Sequence, residues 1–278
     1  MSIPKNCHYV TRGLTKPWEV ADRKLWFYDF DKDEVREHSS KSLFAENELL
    51  SPAAELRFKQ LIEDPLIQLR EKIKKDPLAD NFEWELYRAA CLYFMGQAQR
   101  FKLSLMKEQK DESLEEFLKK DDGYFDQLVQ VFLERYQIIG IGIPPEQQLF
   151  FTQSGFFTFF FLDQSQPYGF SSGFAVPLMP HWALALIPKT ADSSKLNSAL
   201  KTISPYSIGL SDNSKQVVIP PDIRAQNTDE IIREHMKEKR ARAKQMVADF
   251  FKMKELVNHM YTSVGLTPAE GLAAFETP

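Results

Sequence analysis

Cysteine is scarce in this sequence. The 278 residues include two, Cys7 and Cys91, and neither belongs to a Cys-x-x-Cys pair. This pattern excludes a disulfide framework and a cysteine-rich zinc site. Two isolated cysteines also fit a reducing cytosol, where disulfides are rare.

Other signals are missing as well. No apolar run approaches the ~18 residues that a membrane span needs, and the N-terminal MSIPKN lacks the apolar segment of a secretory signal. The net charge is −4 and the pI about 5.8, so overall charge gives no support for binding nucleic acid or an anionic membrane. No P-loop and no Gly-x-Gly-x-x-Gly is present, and no motif predicts a cofactor. We therefore expect a cytoplasmic protein without membrane contact.

Phenylalanine is abundant, with 22 residues, and aromatics make up 13% of the chain. Phe buries much apolar area without needing a hydrogen-bond partner, so a Phe-dominated core is expected. At this length the chain can bury a sizeable core.

The first half predicts a hairpin followed by helices. Residues 24–37, KLWFYDFDKDEVRE, have the aromatic strand, Asp-rich turn and return strand of a hairpin. Ser51 and Pro52 are typical of a helix start, and Pro65 predicts a kink or a restart in that helix. Further helices are expected at 81–107 and at 113–138, the second broken near Gly123.

The pattern becomes strand-like at Gly140. Strands are predicted near 148–152, 156–161, 173–177, 182–187 and 216–219. TQSGF, residues 152–156, is interpreted as a hairpin turn with Gly155 at a positive φ. Asn227 and Glu230 have capping-box spacing and predict a helix that runs to about Tyr261.

Together these patterns predict an α+β fold in one domain of residues 1–265, with the N-terminal hairpin and the later strands in one mainly antiparallel sheet. A flexible tail would follow at 266–278. The expected parts of the domain are a hairpin (1–40), a helical part (51–138), a sheet-rich part (140–226) and a C-terminal helix (227–261).

A polar cluster stands at the N-terminus, where His8, Tyr9 and Arg12 lie within five residues. His8 has no second metal ligand at a recognisable spacing, so no metal site is predicted. The cluster either hydrogen-bonds buried backbone and anchors the N-terminal strand, or it contributes to a functional site.

Two carboxylates on the first predicted helix are candidates for the same site. Glu55 and Glu63 are roughly 80° apart on a helical wheel. Glu55 falls inside the apolar stripe and Glu63 at its edge. A carboxylate facing a core needs a cation or several donors, and Arg100 on the mostly apolar second helix is the natural candidate, with Arg12 as another. Such a group is either a structural network or a catalytic one.

The basic stretch KEKRARAK, residues 237–244, is the one feature that suggests nucleic acid. Asp229/Arg233 and Glu238/Arg242 are i,i+4 pairs on the same helix, which is typical of a solvated helix face. Nucleic-acid contact is the weaker interpretation. Apolar positions of this helix, including Phe250 and Val257, would indicate a homodimer or a partner protein if they were exposed.

Several short motifs, in order, resemble a bacterial family of domains of unknown function. Its members begin His-Tyr-Val-Pro-Arg or His-Tyr-Val-Pro-Gln and continue with an aromatic strand, as in HYVTRGL and LWFYDFD here. AELRFKQLIE resembles the family's paired-glutamate helix and matches Glu55 and Glu63, while FMGQAQRF matches Arg100. FFTQSGF stands where the family has Phe-hydrophobic-Thr-Ser-Asp-Asn-Pro, and VPLMPHWALAL resembles its Pro-Leu-Ser-Pro strand.

The chain departs from this family at two places. Thr11 replaces the Pro, and Gln153-Ser154-Gly155 replaces Ser-Asp-Asn, so any chemistry of that Asp would be lacking here. The resemblance implies site positions and brings no activity with it.

Two functions are consistent with these residues. In the first, the chain is a hydrolytic enzyme, nuclease-like or directed at nucleotides, in a toxin or phage-defence setting. His8, Glu55 and Glu63 would be catalytic, and Tyr9, Arg12 and Arg100 would bind the substrate. In the alternative, the chain is a non-catalytic module that interacts with protein or nucleic acid, and the same residues form a structural network.

Overall fold

The structure is a computed structural model that describes residues 7–8, 10–46, 50–75, 84–106, 112–142, 148–162, 170–191 and 215–263. The fold is α+β, as predicted. Its strands are β1 (Cys7–His8), β2 (Lys24–Asp29), β3 (Glu34–Ser39), β4 (Ala45–Glu46), β5 (Tyr136–Gly142), β6 (Phe151–Thr152), β7 (Phe157–Leu162), β8 (Phe170–Met179), β9 (Trp182–Pro188) and β10 (Gln216–Ile219).

The described helices lie before, between and after these strands in the sequence. They are α1 (Arg12–Thr15), α2 (Pro52–Phe58), α3 (Asp64–Lys75), α4 (Trp84–Met106), α5 (Glu112–Leu118), α6 (Asp122–Arg135), α7 (Pro221–Gln226) and α8 (Asp229–Ser263). A π-helical turn, Lys59–Glu63, joins α2 directly to α3. The tail at 266–278 lies outside the described residues.

Eight of the ten described strands form two four-stranded antiparallel sheets rather than the one sheet predicted, and β1 pairs with β4 in a two-stranded sheet. The hairpin sheet has the order β3-β2-β10-β6, and the second sheet has the order β5-β9-β8-β7. The predicted hairpin is confirmed, with Lys24 opposite Ser39 and Asp29 opposite Glu34. Strand β10 was also predicted at its observed position.

Strand β5 corrects the predicted boundary between the helical and the sheet-rich parts. Helix α6 ends at Arg135, and the chain passes at once into β5 instead of continuing as helix to 138. β5 then pairs with β9 along its full length, from Tyr136 opposite Pro188 to Gly142 opposite Trp182. The switch therefore occurs at residue 136, and not at Gly140.

The observed structure of TQSGF, residues 152–156, also differs from the predicted hairpin turn. Gly155 does have a positive φ of 76°. However, β6 before it belongs to the hairpin sheet and β7 after it belongs to the second sheet. The segment is therefore a turn that leads from one sheet to the other, and not the turn of a hairpin.

Local signals set the helix ends. The Ser51 side chain caps α2 by accepting from the Ala54 N–H, and Asp121 caps α6 in the same way. At α8 the capping residue is Thr228, whose Oγ1 accepts from the Ile231 N–H at 3.4 Å. Asn227, predicted for that role, instead ends α7 and donates to the carbonyl of Ile223.

Helix α8, predicted over 227–261, packs its first turns on the hairpin sheet. Ile232 and Met236 are buried in a cluster with Tyr28, Val217 and Ile219. At the edge of this contact Lys237 pairs with Asp33, and the Arg240 guanidinium lies 4.2 Å from the centre of the Phe30 ring. Two cations of the basic stretch therefore hold the helix on its sheet.

Candidate functional site

The N-terminal segment is fastened to helix α3. The buried Arg70 side chain donates through Nη1 to the carbonyl of Gly13. The backbone at Gly13 lies so close to α3 that a Cβ there would be 2.3 Å from Cδ1 of Ile67. The segment that carries the N-terminal cluster is therefore ordered by a helix more than fifty residues later.

Trp18 extends this attachment to the sheets. Its indole Nε1 donates to the carbonyl of Leu149 at 2.7 Å, and the N–H of Leu149 donates to the carbonyl of Pro180 at 2.7 Å. Trp18 is fully buried and packs edge-on against Phe151, with ring centroids 5.1 Å apart. Leu149 thus joins the N-terminal segment to the end of β8.

Arg12 has described partners within its own half of the chain. Its Nε donates to Glu19 Oε1 at 3.1 Å and to Ser40 Oγ at 3.0 Å. The side chain is 33% exposed. Among the described contacts, neither Glu55 nor Glu63 is a partner of Arg12, and both side-chain bonds use Nε.

The π-turn changes the predicted positions of the two glutamates. An i→i+5 turn holds one residue more than an α-turn, so about 100° of rotation is lost and Glu63 falls about 20° from Glu55. Leu61, Ile62 and Glu63 are consecutively buried. Glu63 is 7% exposed, whereas Glu55 is half-buried. The more enclosed carboxylate is therefore Glu63, not Glu55, and each makes an interaction with another group.

Helix α4 lies against this π-turn. A Cβ at Gly96 would lie 3.0 Å from Cε2 of Phe58 and 3.3 Å from Cδ1 of Ile62. Gly96 therefore permits close packing of the two helices. Position 100 follows about one turn later on the same helix.

Two polar side chains of α4 hold the segment Thr152–Phe156, which we call the buried turn. The Tyr93 hydroxyl donates to the carbonyl of Gly155 at 3.1 Å, and Gln97 Nε2 donates to the carbonyl of Ser154 at 3.2 Å. Both side chains are 1% exposed. A Cβ at Gly155 would lie 2.5 Å from the Tyr93 hydroxyl oxygen, so glycine is required by contact as well as by its φ.

The buried turn is also bonded within itself. Thr152 Oγ1 lies 2.9 Å from Ser154 Oγ and donates to the carbonyl of Phe156 at 2.8 Å. The Ser154 hydroxyl, which is fully buried, bonds the same carbonyl. Ser154 is thus a structural residue and is not presented as a nucleophile.

Cys91 lies on α4 and is buried. Burial raises the pKa of its thiol to about 12, so the thiol is protonated at neutral pH and is a poor nucleophile. Among the described residues, no group of three or more His, Cys, Asp or Glu side chains could hold a metal ion. In the same part of the chain, no helix is long and apolar enough to cross a membrane.

The structure therefore describes some of the predicted site residues with their side chains and others only in part. His8 lies in β1 opposite Ala45, and Arg100 lies in α4. The side chains of His8 and Arg100, and the whole of Tyr9, lie outside the described residues. The convergence of His8, Arg12, Glu55, Glu63 and Arg100 stays a prediction.

Sequence reasoning missed four residues that organise this region: Trp18, Arg70, Tyr93 and Gln97. A signal existed for the last two, because polar groups at i and i+4 on a nearly apolar helix need buried partners. At helical spacing, positions 93, 97 and 100 lie on one face of α4. Trp18 and Arg70 carried no comparable signal, because neither belongs to a pair of polar groups on a nearly apolar helix.

The chain was compared with protein-family models, curated proteins and solved structures. No family model, no curated protein and no solved structure matches it. The resemblance to the family with the His-Tyr-Val-Pro motif therefore remains a prediction from the motifs themselves.

Proposed function

We propose that the chain is a cytoplasmic bacterial hydrolase that acts on a phosphate ester, with Glu63 as its principal acid–base group. The observation that carries this proposal is the enclosed carboxylate of Glu63 in a π-turn against α4. π-turns inside α-helices recur at functional sites. A carboxylate in such a setting is a candidate for proton transfer.

In this proposal Glu63 accepts a proton from a water molecule as that water attacks phosphorus. The bond from phosphorus to the leaving oxygen breaks, and His8 donates a proton to that oxygen. Glu55, on the same stripe of the helix, would favour the protonated form of His8 that donates this proton. Tyr9 would contact the substrate.

The phosphate would be held by Arg12 and Arg100. Two observations on Arg12 support this role. Its described side-chain bonds to Glu19 and Ser40 both use Nε, and the side chain is one third exposed. These bonds fix the guanidinium, and the pair Nη1 and Nη2 has the spacing that binds phosphate oxygens.

One observation favours the second candidate, a non-catalytic module with a structural network. Tyr93, Gln97, Thr152 and Ser154 are all at most 1% exposed, and their described bonds go to backbone carbonyls or to one another. A network of this kind positions a turn and needs no substrate.

Glu63→Gln separates the two candidates, because it removes the charge and keeps the shape. The assays are p-nitrophenol release from bis(p-nitrophenyl) phosphate and cleavage of single-stranded RNA, each with thermal melting of the same sample. A general base contributes about 10²–10⁴-fold, so Glu63→Gln should lose that factor in kcat with a near-normal Tm.

Glu116→Gln, the same change at an exposed site on α5, is the matched control and should leave both values unchanged. Glu63→Asp retains the charge and keeps the test usable if the Gln variant does not fold. Wild-type protein without turnover on either substrate would refute the hydrolase, and Glu63→Gln with full turnover per folded molecule would refute the catalytic role of Glu63. A wild-type protein without turnover whose Tm falls on Glu63→Gln would support the structural network.

A further inference from the structure

Helix α8 is longer than the sheet on which it packs. Its 35 residues span about 52 Å at 1.5 Å per residue. The hairpin sheet has four strands of at most six residues, so its longest diagonal is about 25 Å. About half of the helix therefore extends beyond the sheet.

One stripe of apolar positions runs along the whole helix with alternating spacings of four and three residues. It consists of Ile232, Met236, Lys239, Ala243, Met246, Phe250, Met253, Val257 and Met260. This is the spacing of the a and d positions of a coiled coil, and one member, Lys239, is polar.

The described side chains agree with this division of the helix into two faces. Ile232 and Met236, at the start of the stripe, are buried against the hairpin sheet. Beyond Arg240, the side chains whose burial is described lie off the stripe and are exposed: Ala241, Arg242, Lys244, Gln245, Ala248, Asp249, Lys252, Glu255 and His259. The stripe thus continues, past the sheet, the face that the sheet covers at its start.

We propose that the distal part of this stripe, from Ala243 to Met260, pairs with the same part of a second copy of the chain in an antiparallel, two-fold dimer. A stripe that pairs with itself makes an isologous interface, which is the commonest type in homodimers.

The antiparallel direction follows from the shared face. In a parallel pair, the first turns of the second helix would occupy the space that the hairpin sheet fills against Ile232 and Met236. In an antiparallel pair, only the distal halves overlap, and the two sheets lie at opposite ends.

The sequence offers a complementary register for this direction. Pairing Phe250 of one copy with Met253 of the other places Met246 opposite Val257 and Ala243 opposite Met260. Each layer then combines residues of different shape, with a flexible methionine in every layer.

The interface would also be large enough. Eight apolar residues lie on or beside the distal stripe in each copy: Met246, Val247, Phe250, Met253, Leu256, Val257, Met260 and Tyr261. At about 60–120 Å² each they would bury about 1,000–1,900 Å² in a dimer. This reaches the ~1,200–2,000 Å² of a specific interface.

The test is the mass of the full chain by light scattering after gel filtration at about 50 μM. Wild-type protein should have twice the chain mass of 32.2 kDa. Val257→Lys should weaken the dimer by about 100-fold or more, because a two-fold interface contains the change twice. Ala248→Lys adds the same charge on the exposed face and should remain dimeric.

Disulfide trapping tests the direction in a Cys7→Ser background. A mixture of Phe250→Cys and Met253→Cys chains should cross-link, whereas Met253→Cys alone should not, because its own copies would be too far apart. Cross-linking of Met253→Cys alone would overturn the antiparallel arrangement.

A monomeric wild-type chain would overturn the proposal. If Val257→Lys then also lowered the Tm, the stripe would be covered by another segment of the same chain. A dimer that Val257→Lys leaves intact would overturn the proposal as well, because the interface would lie elsewhere.

Discussion

Replacement of Gly155 by alanine tests the packing of the buried turn on α4. The new Cβ would lie 2.5 Å from the Tyr93 hydroxyl oxygen and 3.1 Å from Gln97 Nε2. It would also have to accept a φ of 76°, which disfavours every residue with a Cβ.

The two effects have comparable magnitudes. The left-handed conformation costs about 1–2 kcal/mol for a non-glycine residue. Withdrawal of the Tyr93 hydroxyl would leave the buried carbonyl of Gly155 without its donor, at about 1–3 kcal/mol. The free energy of unfolding should therefore fall by about 2–5 kcal/mol, a large part of the ~5–15 kcal/mol of a typical domain.

Urea and thermal unfolding measure this change, with Gly142→Ala as the matched control. A Cβ at Gly142 would have no atom within 4 Å, and its φ is not positive. Gly142→Ala should thus stay within about 0.5 kcal/mol of wild type. At about 2–4 °C per kcal/mol, Gly155→Ala should lower the Tm by about 4–20 °C.

A double-mutant cycle with Tyr93→Phe identifies the source of the effect. If the hydroxyl is the obstacle, the double variant should be more stable than the sum of the single changes predicts, by about 1 kcal/mol or more. Additive changes, or a Gly155→Ala variant as stable as Gly142→Ala, would refute this account of the turn.

Two further perturbations follow from described contacts. Arg70→Met removes the donor to the carbonyl of Gly13, so it should lower the free energy of unfolding by about 1–3 kcal/mol and speed amide exchange in residues 10–20. Lys74→Met, which removes an exposed partner of Glu71, should change neither stability nor exchange. Equal exchange in the two variants would contradict the anchoring role of Arg70. Hydrogen bonds from Arg57 and then Arg88 lower the pKa of Asp122 below its ordinary 3.8, so this carboxylate stabilises the fold above about pH 4 and the contribution is lost as the pH falls through the lowered pKa. Urea titrations between pH 3 and 6 should therefore show a smaller loss of stability on acidification for Asp122→Asn than for wild type, and parallel curves would count against the shift.

Elements defined by neighbouring residues were predictable. The hairpin was recognised because the aromatic strand, the Asp-rich turn and the return strand all lie within 24–37. The start of α2 was recognised because Ser51 and Pro52 act within one turn. The break before α6 was found for the same reason, at a capping aspartate.

Features that depend on distant partners were not predictable. β5 follows α6 without any breaking residue, and its strand identity depends on β9 some forty residues later. The separation into two sheets depends on which strands pair, and local pattern carries no such information. The π-turn has no signature in the apolar spacing, so the wheel placed Glu63 at the edge of the stripe although the structure buries it.

The position of β2 in the hairpin sheet has a consequence for synthesis. β2 pairs on one side with β3, its neighbour in the chain, and on the other with β10, which places Trp26 opposite Ile219. At ~5–20 residues per second, the ribosome needs about 10–40 s to make the residues between these partners. During that time one edge of the aromatic strand β2 can pair with β3, while its other edge has no partner strand. Chaperones that recognise apolar extended segments would find their target there, in the first thirty residues of the protein.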